Sequence, residues 1–468
     1  MAALPDALIQ MLSDYLDAES MTRFLTLSKQ LYNVTLPPNI PPLRIRYLRE
    51  FMTYPRRAFE TNGYEILDRA YKDHSLTIDA RQAPPILEML KTDKTLQTLN
   101  IRLHPENMQQ LVEMLKVNTT LTTIHLNEND IRNEGAKHLA EALKANTTLT
   151  KIGLNENIIG DEGAKHIAEA LKVNETLTEI SLKGNNIGPE GVKHLAEALK
   201  VNTTLIKINL FNIGLFIFNL DNIIGHYCVK HLTEALKINI TLTEINLGRN
   251  DIEDEDVEYL AEMLKVNTTL TEINLGFNDI GPQGAKHLAE ALKVNTTLTK
   301  IDLKSNKIKT KGAKAIAEMI KVNTTLTKID LFRNEIEYEG AKAIAEALKV
   351  NTTLTEICLG YNNIGPEGVK HLAEMLMVNT TLTGINLCYN NIRPQGAKHL
   401  AEMLMVNTTL TKINLFSNKI RDEGAKDLAE MLKVNTTLTE INLGFNDIGD
   451  EGAKALRESN IHNIKITR

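Results

Sequence analysis

The chain has 468 residues and a formal net charge of −6, with Lys and Asp/Glu interleaved along its length; without a basic stripe it lacks the electrostatic footprint of a nucleic-acid binder. Cys228, Cys358 and Cys388 form an odd set without metal-ligand spacing, which argues against a disulfide scaffold or a zinc site and fits a reducing compartment. No apolar run approaches membrane-spanning length, and the opening MAALPDALIQ contains Asp6 and no basic leader, so an intracellular, cytoplasmic protein with no membrane partner is expected.

Residues 1–36 form the first segment. Pro5 follows Leu4, and Leu8, Ile9, Leu12 and Leu16 then fall at helical spacing; Ser20 is placed to cap a second helix carrying Met21, Phe24 and Leu25. Such a segment is too small for a core of its own and needs a partner or the adjoining chain to rest on. LPDALIQMLSDYLDAESMTRFLTLSKQLYN resembles an F-box, the adaptor-docking module of cullin-RING ubiquitin ligases, at Leu4-Pro5-Asp6, at Leu8, Ile9 and Leu12, at Tyr15-Leu16-Asp17, and at Ser28-Lys29 with Leu31. It departs from the pattern at Ala7, where an acidic residue is usual, and at Tyr32, near a common tryptophan. The resemblance implies that Leu4, Pro5, Leu8, Ile9, Leu12 and Leu16 bind a ligase adaptor. The same residues also read as a helical cap over the first repeat, and a solenoid end needs one.

Residues 37–72 carry Pro37-Pro38, Pro41-Pro42 and Pro55 among Arg44, Arg46, Arg49, Arg56 and Arg57, which predicts a stiff connector, and YEILDRAY predicts a short helix. A repeat domain is expected over 73–468. It opens with degenerate units at Leu76 and Ile78 and at Leu99 and Ile101, before a regular run starting at Leu121.

The regular unit is 28 residues long, typified by LTEINLGFNDIGPQGAKHLAEALKVNTT from Leu270 to Thr297. Period-two alternation places Ile273 and Leu275 inward and Glu272, Asn274 and Gly276 outward on a short strand. After Asn278 and Ile280 the period becomes helical, with Ala285, Leu288 and Leu292 on the inner stripe. Pro189, Pro282, Pro366 and Pro394 stand at or near the first helical position, and Asn295 is expected to end its helix in the left-handed conformation. Asn129, Asn278 and Asn390 should satisfy turn backbone groups. The Asn-x-Thr triplets at helix ends, such as Asn267-Thr-Thr and Asn351-Thr-Thr, read as caps rather than glycosylation acceptors.

Leu-x-x-Ile-x-Leu-x-x-Asn-x-Ile-Gly followed by an Ala-x-x-Leu-x-x-x-Leu helix resembles the ribonuclease-inhibitor type of leucine-rich repeat. The resemblance implies an α/β solenoid, a horseshoe with a parallel sheet on the concave face and helices on the convex face. Strand-helix alternation leads to a parallel sheet independently.

One repeat is irregular: 37 residues separate Leu205 from Leu242, nine more than the period. The surplus lies near residues 210–222, where Phe211, Phe216 and Phe218 crowd, and reads either as a loop on a binding face or as added packing. Elsewhere Phe277, Phe332, Tyr361, Tyr389, Phe416 and Phe445 all fall three or four residues after the inward Ile, at the strand exit and facing the expected concave side. With Phe216 they are the expected protein-binding anchors. His138, His166, His194, His287, His371 and His399 recur on helices without two-ligand spacing, and Cys358 reads as an exposed thiol with no base beside it.

No catalytic motif or cofactor site emerges, and a non-enzymatic protein is expected. The two resemblances together imply a substrate-recruiting subunit of a ubiquitin ligase, its N-terminal segment on the adaptor and its horseshoe holding a protein cargo, by proximity rather than local chemistry. F-boxes joined to asparagine-type repeats resemble effectors that intracellular bacteria place in host cells. A plain interaction scaffold with a helical cap is the alternative, and a small-GTPase activator a third reading, because proteins similar to these repeats include such regulators.

Overall fold

The structure, a computed structural model, describes residues 75–78, 83–212, 225–459 and 464–467. Residues 1–36, with the six positions expected to bind an adaptor, the expected connector 37–72, and Phe216 and Phe218 of the irregular repeat lie outside the described residues. Two compact units divide the chain, one ending at Asn157 and the other beginning at Ile158.

The first unit contains β1 (Ser75–Ile78), α1 (Ala83–Leu90), β2 (Thr98–Ile101), α2 (Met108–Val117), β3 (Thr123–His125), α3 (Arg132–Ala145) and β4 (Lys151–Gly153). Its strands pair in parallel and in chain order, aligning Leu76 with Leu99, Leu99 with Ile124, and Ile124 with Ile152. The degenerate repeats therefore hold the same sheet register as the regular ones.

The second unit repeats one strand-helix turn. It runs α4 (Gly160–Leu171), β5 (Glu179–Ser181), α5 (Pro189–Leu199), β6 (Lys207–Asn209), α6 (Gly225–Leu236), β7 (Glu244–Asn246), α7 (Asp254–Leu264), β8 (Glu272–Asn274), α8 (Pro282–Leu292), β9 (Lys300–Asp302), α9 (Lys309–Ile320), β10 (Lys328–Asp330) and α10 (Glu337–Leu348). It continues with β11 (Glu356–Cys358), α11 (Gly365–Leu376), β12 (Gly384–Asn386), α12 (Arg393–Leu404), β13 (Lys412–Asn414), α13 (Arg421–Leu432), β14 (Glu440–Asn442), α14 (Asp450–Ser459) and β15 (Lys465–Thr467). Every strand pairs in parallel with the next, and one isoleucine per strand aligns from Ile180 through Ile273 and Ile357 to Ile466. The surplus in the irregular repeat does not disturb this register: Ile208 pairs with Ile245, and Leu210 N–H donates to the Asn246 carbonyl at 2.9 Å.

The core follows the two periods of the sequence. Leu270, Ile273 and Leu275 of the strand, Ile280 of the turn, and Ala285, Leu288 and Leu292 of α8 are all buried. Each large aliphatic side chain so placed contributes about 1.5–3 kcal/mol of transfer free energy, and only stacked neighbours supply the cover. Gly276 departs from the expected outward position. It is buried, and a Cβ there would stand 2.9 Å from Cγ of Lys304 in the next repeat.

The asparagine at the helix end works differently from the left-handed cap expected of it. Asn295 is absent from the positive-φ residues, and α8 is capped by Lys293 in the right-handed region. Instead the Asn295 side chain donates from Nδ2 to the Leu264 carbonyl at the end of the preceding helix (2.8 Å) and accepts from Leu298 N–H at 2.8 Å. Asn323, Asn351, Asn379 and Asn407 repeat the bond to the preceding helix. One side chain thus satisfies an orphan carbonyl of the preceding repeat and the amide of the leucine that opens the next. The asparagines of the Asn-Thr-Thr triplets are buried, and at Asn267, Asn295 and Asn351 the amide nitrogen is taken up by a carbonyl of the preceding helix.

Helix starts are also shared between repeats. Asp161 Oδ1 accepts from Gly188 N–H at 2.6 Å and Gly191 N–H at 2.9 Å, so α5 receives its N-terminal cap from α4. Asp254 does the same for Gly281 and Gly284, and Asp422 for Gly449 and Gly452.

Candidate protein-binding surface

Strand exits in the second unit share one backbone design. Where the last strand residue is Asn or Asp, its side chain folds forward and accepts the amide two residues on: Asn274 from Gly276 (2.8 Å), Asp330 from Phe332 (2.9 Å), Asn386 from Cys388 (3.0 Å), Asn414 from Phe416 (3.0 Å). The residue after that amide is left-handed, with φ of 59° at Phe277, 56° at Tyr361, 56° at Tyr389 and 56° at Phe445. Its own N–H donates to the next repeat, as from Tyr361 to the Cys388 carbonyl (2.7 Å) and from Tyr389 to that of Phe416 (2.9 Å). Beneath runs a buried ladder in which Asn362 Nδ2 donates to the Leu331 carbonyl at 2.8 Å, while Asn390 Oδ1 accepts from Asn362 N–H at 3.0 Å. These bonds satisfy the turn backbone as expected of Asn129, Asn278 and Asn390, and hold a left-handed turn that costs roughly 1–2 kcal/mol per non-glycine residue.

The aromatic residues occupy two successive positions of this turn. Phe211, Phe332 and Phe416 stand at the first and are half-buried; Phe277, Tyr361, Tyr389 and Phe445 stand at the second, 44%, 51%, 43% and 80% exposed. From Phe332 to Phe445 the two sets interleave into an unbroken ridge. Ring centroids are 5.9 Å apart for Phe332–Tyr361, 5.7 Å for Tyr361–Tyr389, 5.3 Å for Tyr389–Phe416 and 4.9 Å for Phe416–Phe445. Phe277 stands outside this run and meets Phe211 edge-on at 6.2 Å. Cations sit over three of these rings: the Arg333 guanidinium 5.6 Å from the Tyr361 centroid, Lys304 Nζ 5.6 Å from that of Phe277, and Lys183 Nζ 5.7 Å from that of Phe211.

Sequence reasoning found the six described ring positions but missed their glycine partners. A Cβ on Gly360 would lie 2.7 Å from Cδ2 of Phe332, one on Gly444 2.9 Å from Phe416, and one on Gly248 2.7 Å from Phe211. Each first-position phenylalanine thus lies across a glycine of the next repeat. The available signal was a Phe followed, one repeat later, by Gly at the same position.

A trough of about 1150 Å³ runs beside the rings, lined by Phe277, Tyr361 and Tyr389 and by Asp279, Lys307 and Glu335 further round the turn. The Lys307 ammonium pairs with Asp279 at 2.8 Å, and that hydrogen bond raises its pKa. On the strand face, charges pair across neighbouring strands, as in Lys207–Glu244 (2.7 Å) and Lys328–Glu356 (2.7 Å). Asp330 stands beside Asp302 in register, and burial, then that neighbour, raises its pKa. Cys358 is not the exposed thiol expected. It is half-buried beside Asp330, and burial, then the adjacent carboxylate, pushes its pKa well above the usual thiol range, the reverse of an activated nucleophile. Among the described residues, no three His, Cys, Asp or Glu side chains group as metal ligands, and no helix is long and apolar enough to cross a membrane.

Two family models match segments of the chain. One, the Leucine Rich repeat, falls on 117–140, 145–168, 173–196, 350–373, 378–401, 406–429 and 434–456; the other, the TMOD/LMOD Leucine-rich domain, falls on 212–337. The repeats are leucine-rich repeats. No curated protein matches the chain. Among solved structures, leiomodin-1 actin-binding site 2 is 26% identical over 33% of this chain and 86% of its own, with a TM-score of 0.29. The leucine-rich repeat-containing protein LegL7 from Legionella pneumophila is 15% identical over 70% of this chain and 96% of its own, at TM-score 0.42. A chain of the yeast Rad7 and Elc1 complex is 15% identical over 97% of this chain and 96% of its own, at TM-score 0.47.

Proposed function

We propose that this leucine-rich-repeat chain is a non-enzymatic protein-interaction scaffold and that it holds its protein partner on the aromatic ridge from Phe332 to Phe445. The observation that carries the reading is the ridge itself: the large rings of Tyr361, Tyr389 and Phe445 stay exposed on a backbone held by a buried hydrogen-bond ladder. Exposed aromatics on a rigid support lose little entropy on binding and are favoured anchors.

A finer reading makes the chain the cargo-holding subunit of a ubiquitin ligase. It rests on the F-box resemblance of residues 1–36, with Leu4, Pro5, Leu8, Ile9, Leu12 and Leu16 as the adaptor contacts. Titration calorimetry with purified ligase adaptor tests it. Full-length protein should bind, and Leu4→Ala with Pro5→Ala should weaken binding by on the order of 2 kcal/mol or more, the scale of apolar hot spots. Equal binding by the double variant, or none by the wild type, removes the ligase role and leaves the scaffold.

A further inference from the structure

Resting on the reading of the ridge as the binding surface, we infer that its occupant is an amphipathic α-helix laid along the ridge, with one apolar side chain per turn set against the rings. Spacing decides the partner's conformation. Four consecutive ring-to-ring steps measure 5.9, 5.7, 5.3 and 4.9 Å, and an α-helix advances about 5.4 Å per turn, so a helical stripe stays in phase from Phe332 to Phe445. An extended strand repeats its side chains on one face every ~6.7 Å and falls out of step by roughly one ring over the same distance. A polyproline segment, at about 9.3 Å per turn, returns only once in nearly two ring steps and leaves rings between its contacts unfilled. Neighbouring ring planes are tilted by 41° to 58°, so they offer no common plane on which successive bases would stack.

Charge defines the rest of the partner. Around Tyr361 and Tyr389 the trough is lined by Asn363, Asn391 and Ser417, all uncharged; Lys419 follows on one side, and on the other Arg333 and Glu335 begin a charged lining that continues through Lys307 and Asp279 to Asp251 and Arg249. The central turns of the helix therefore carry apolar residues towards the rings and no charge on that face, and its charged groups lie at the ends. Spanning the five rings takes about 15 residues, with apolar anchors at i, i+4, i+7, i+11 and i+14.

The test is selection of a displayed random library of 16-residue peptides on the immobilised full chain, followed by anisotropy titration of the enriched peptides. Tyr361→Ser with Tyr389→Ser is the matching variant; serine already occupies this left-handed position at Ser305 and Ser417, with φ of 51° and 53°. Expected are peptides with apolar residues at helical spacing, whose affinity drops at least tenfold on a central proline and at least tenfold on the double variant. Enriched peptides that alternate with period two, or that tolerate the proline, yet still need Tyr361 and Tyr389, overturn the helix and keep the ridge as the binding surface. Peptides indifferent to the double variant overturn both. Failure to enrich any peptide at the ridge also overturns the helix, and the binding reading is then judged by partner capture alone.

Discussion

Phe416 lies across Gly444: a Cβ on that glycine would stand 2.9 Å from Cδ2 and 3.1 Å from Cε2 of the ring. The ring reaches Phe445 and Tyr389 because the next repeat leaves this space open. Gly444→Ala should therefore push the ring aside and cost about 1 kcal/mol, the low end of overpacking penalties. In a double-mutant cycle read by chemical denaturation, Phe416→Ser should remove most of that penalty. Additive losses would show that the glycine serves the backbone rather than the ring.

Thirteen residues, Asn185–Glu197 and Asn362–Glu374, are identical, yet their helices start differently. Gly188 is extended and bonded to Asp161, with α5 beginning at Pro189, whereas Gly365 is left-handed at φ 67° and opens α11. Tyr338 stands 27 residues before Gly365, where Asp161 stands before Gly188. Asp161→Ala should cost roughly 0.5–2 kcal/mol, the range for a lost N-cap. Hydrogen exchange should quicken at the Gly188 and Gly191 amides while those of Gly365 and Gly368 are unchanged.

Asn295→Ala strips the Leu264 carbonyl and the Leu298 amide of their partner at a buried site. Each unsatisfied buried group costs about 1–3 kcal/mol, so the single change should destabilise the second unit by at least about 2 kcal/mol in denaturant unfolding. A surface-like effect would mean that water replaces the side chain.

Asp330 tests the electrostatics of the strand face. Its folded pKa is raised by burial and by Asp302, so the folded state disfavours the ionised form. The penalty is fully present above the folded pKa and fades as pH falls through the ordinary carboxylate range, where both states are protonated. Asn serves the same turn at Asn386 and Asn414. Asp330→Asn should thus stabilise at pH 7, by up to about 1 kcal/mol on the scale of cross-strand pairs, with the gain lost near pH 3. Thermal unfolding against pH reads the sign.

The parts of this fold that obey local periods were legible in the sequence. Ile273 and Leu275 alternate, Leu288 and Leu292 follow the helical stripe, and both sets are buried. Features set by a neighbour one repeat away were not. Asn295 read as a backbone cap because its partner, Leu264, lies 31 residues earlier. Cys358 read as exposed because strand alternation ignores the covering side chains of adjacent strands, Asp330 among them. The ring positions were visible as strand exits, but their division between half-buried Phe416 and exposed Phe445 depends on one step along the turn and on Gly444.

The most direct measurement is quantitative capture from cell extract by wild type and by a Tyr361→Ser, Tyr389→Ser, Phe445→Ser variant, with thermal unfolding of both. The three side chains are exposed and serine fits the turn, so unfolding should be nearly unchanged. Loss of hot-spot anchors worth about 2 kcal/mol or more should reduce the wild-type partners by roughly thirtyfold. Capture of the same partners at the same level by the folded variant would contradict the ridge as the binding surface.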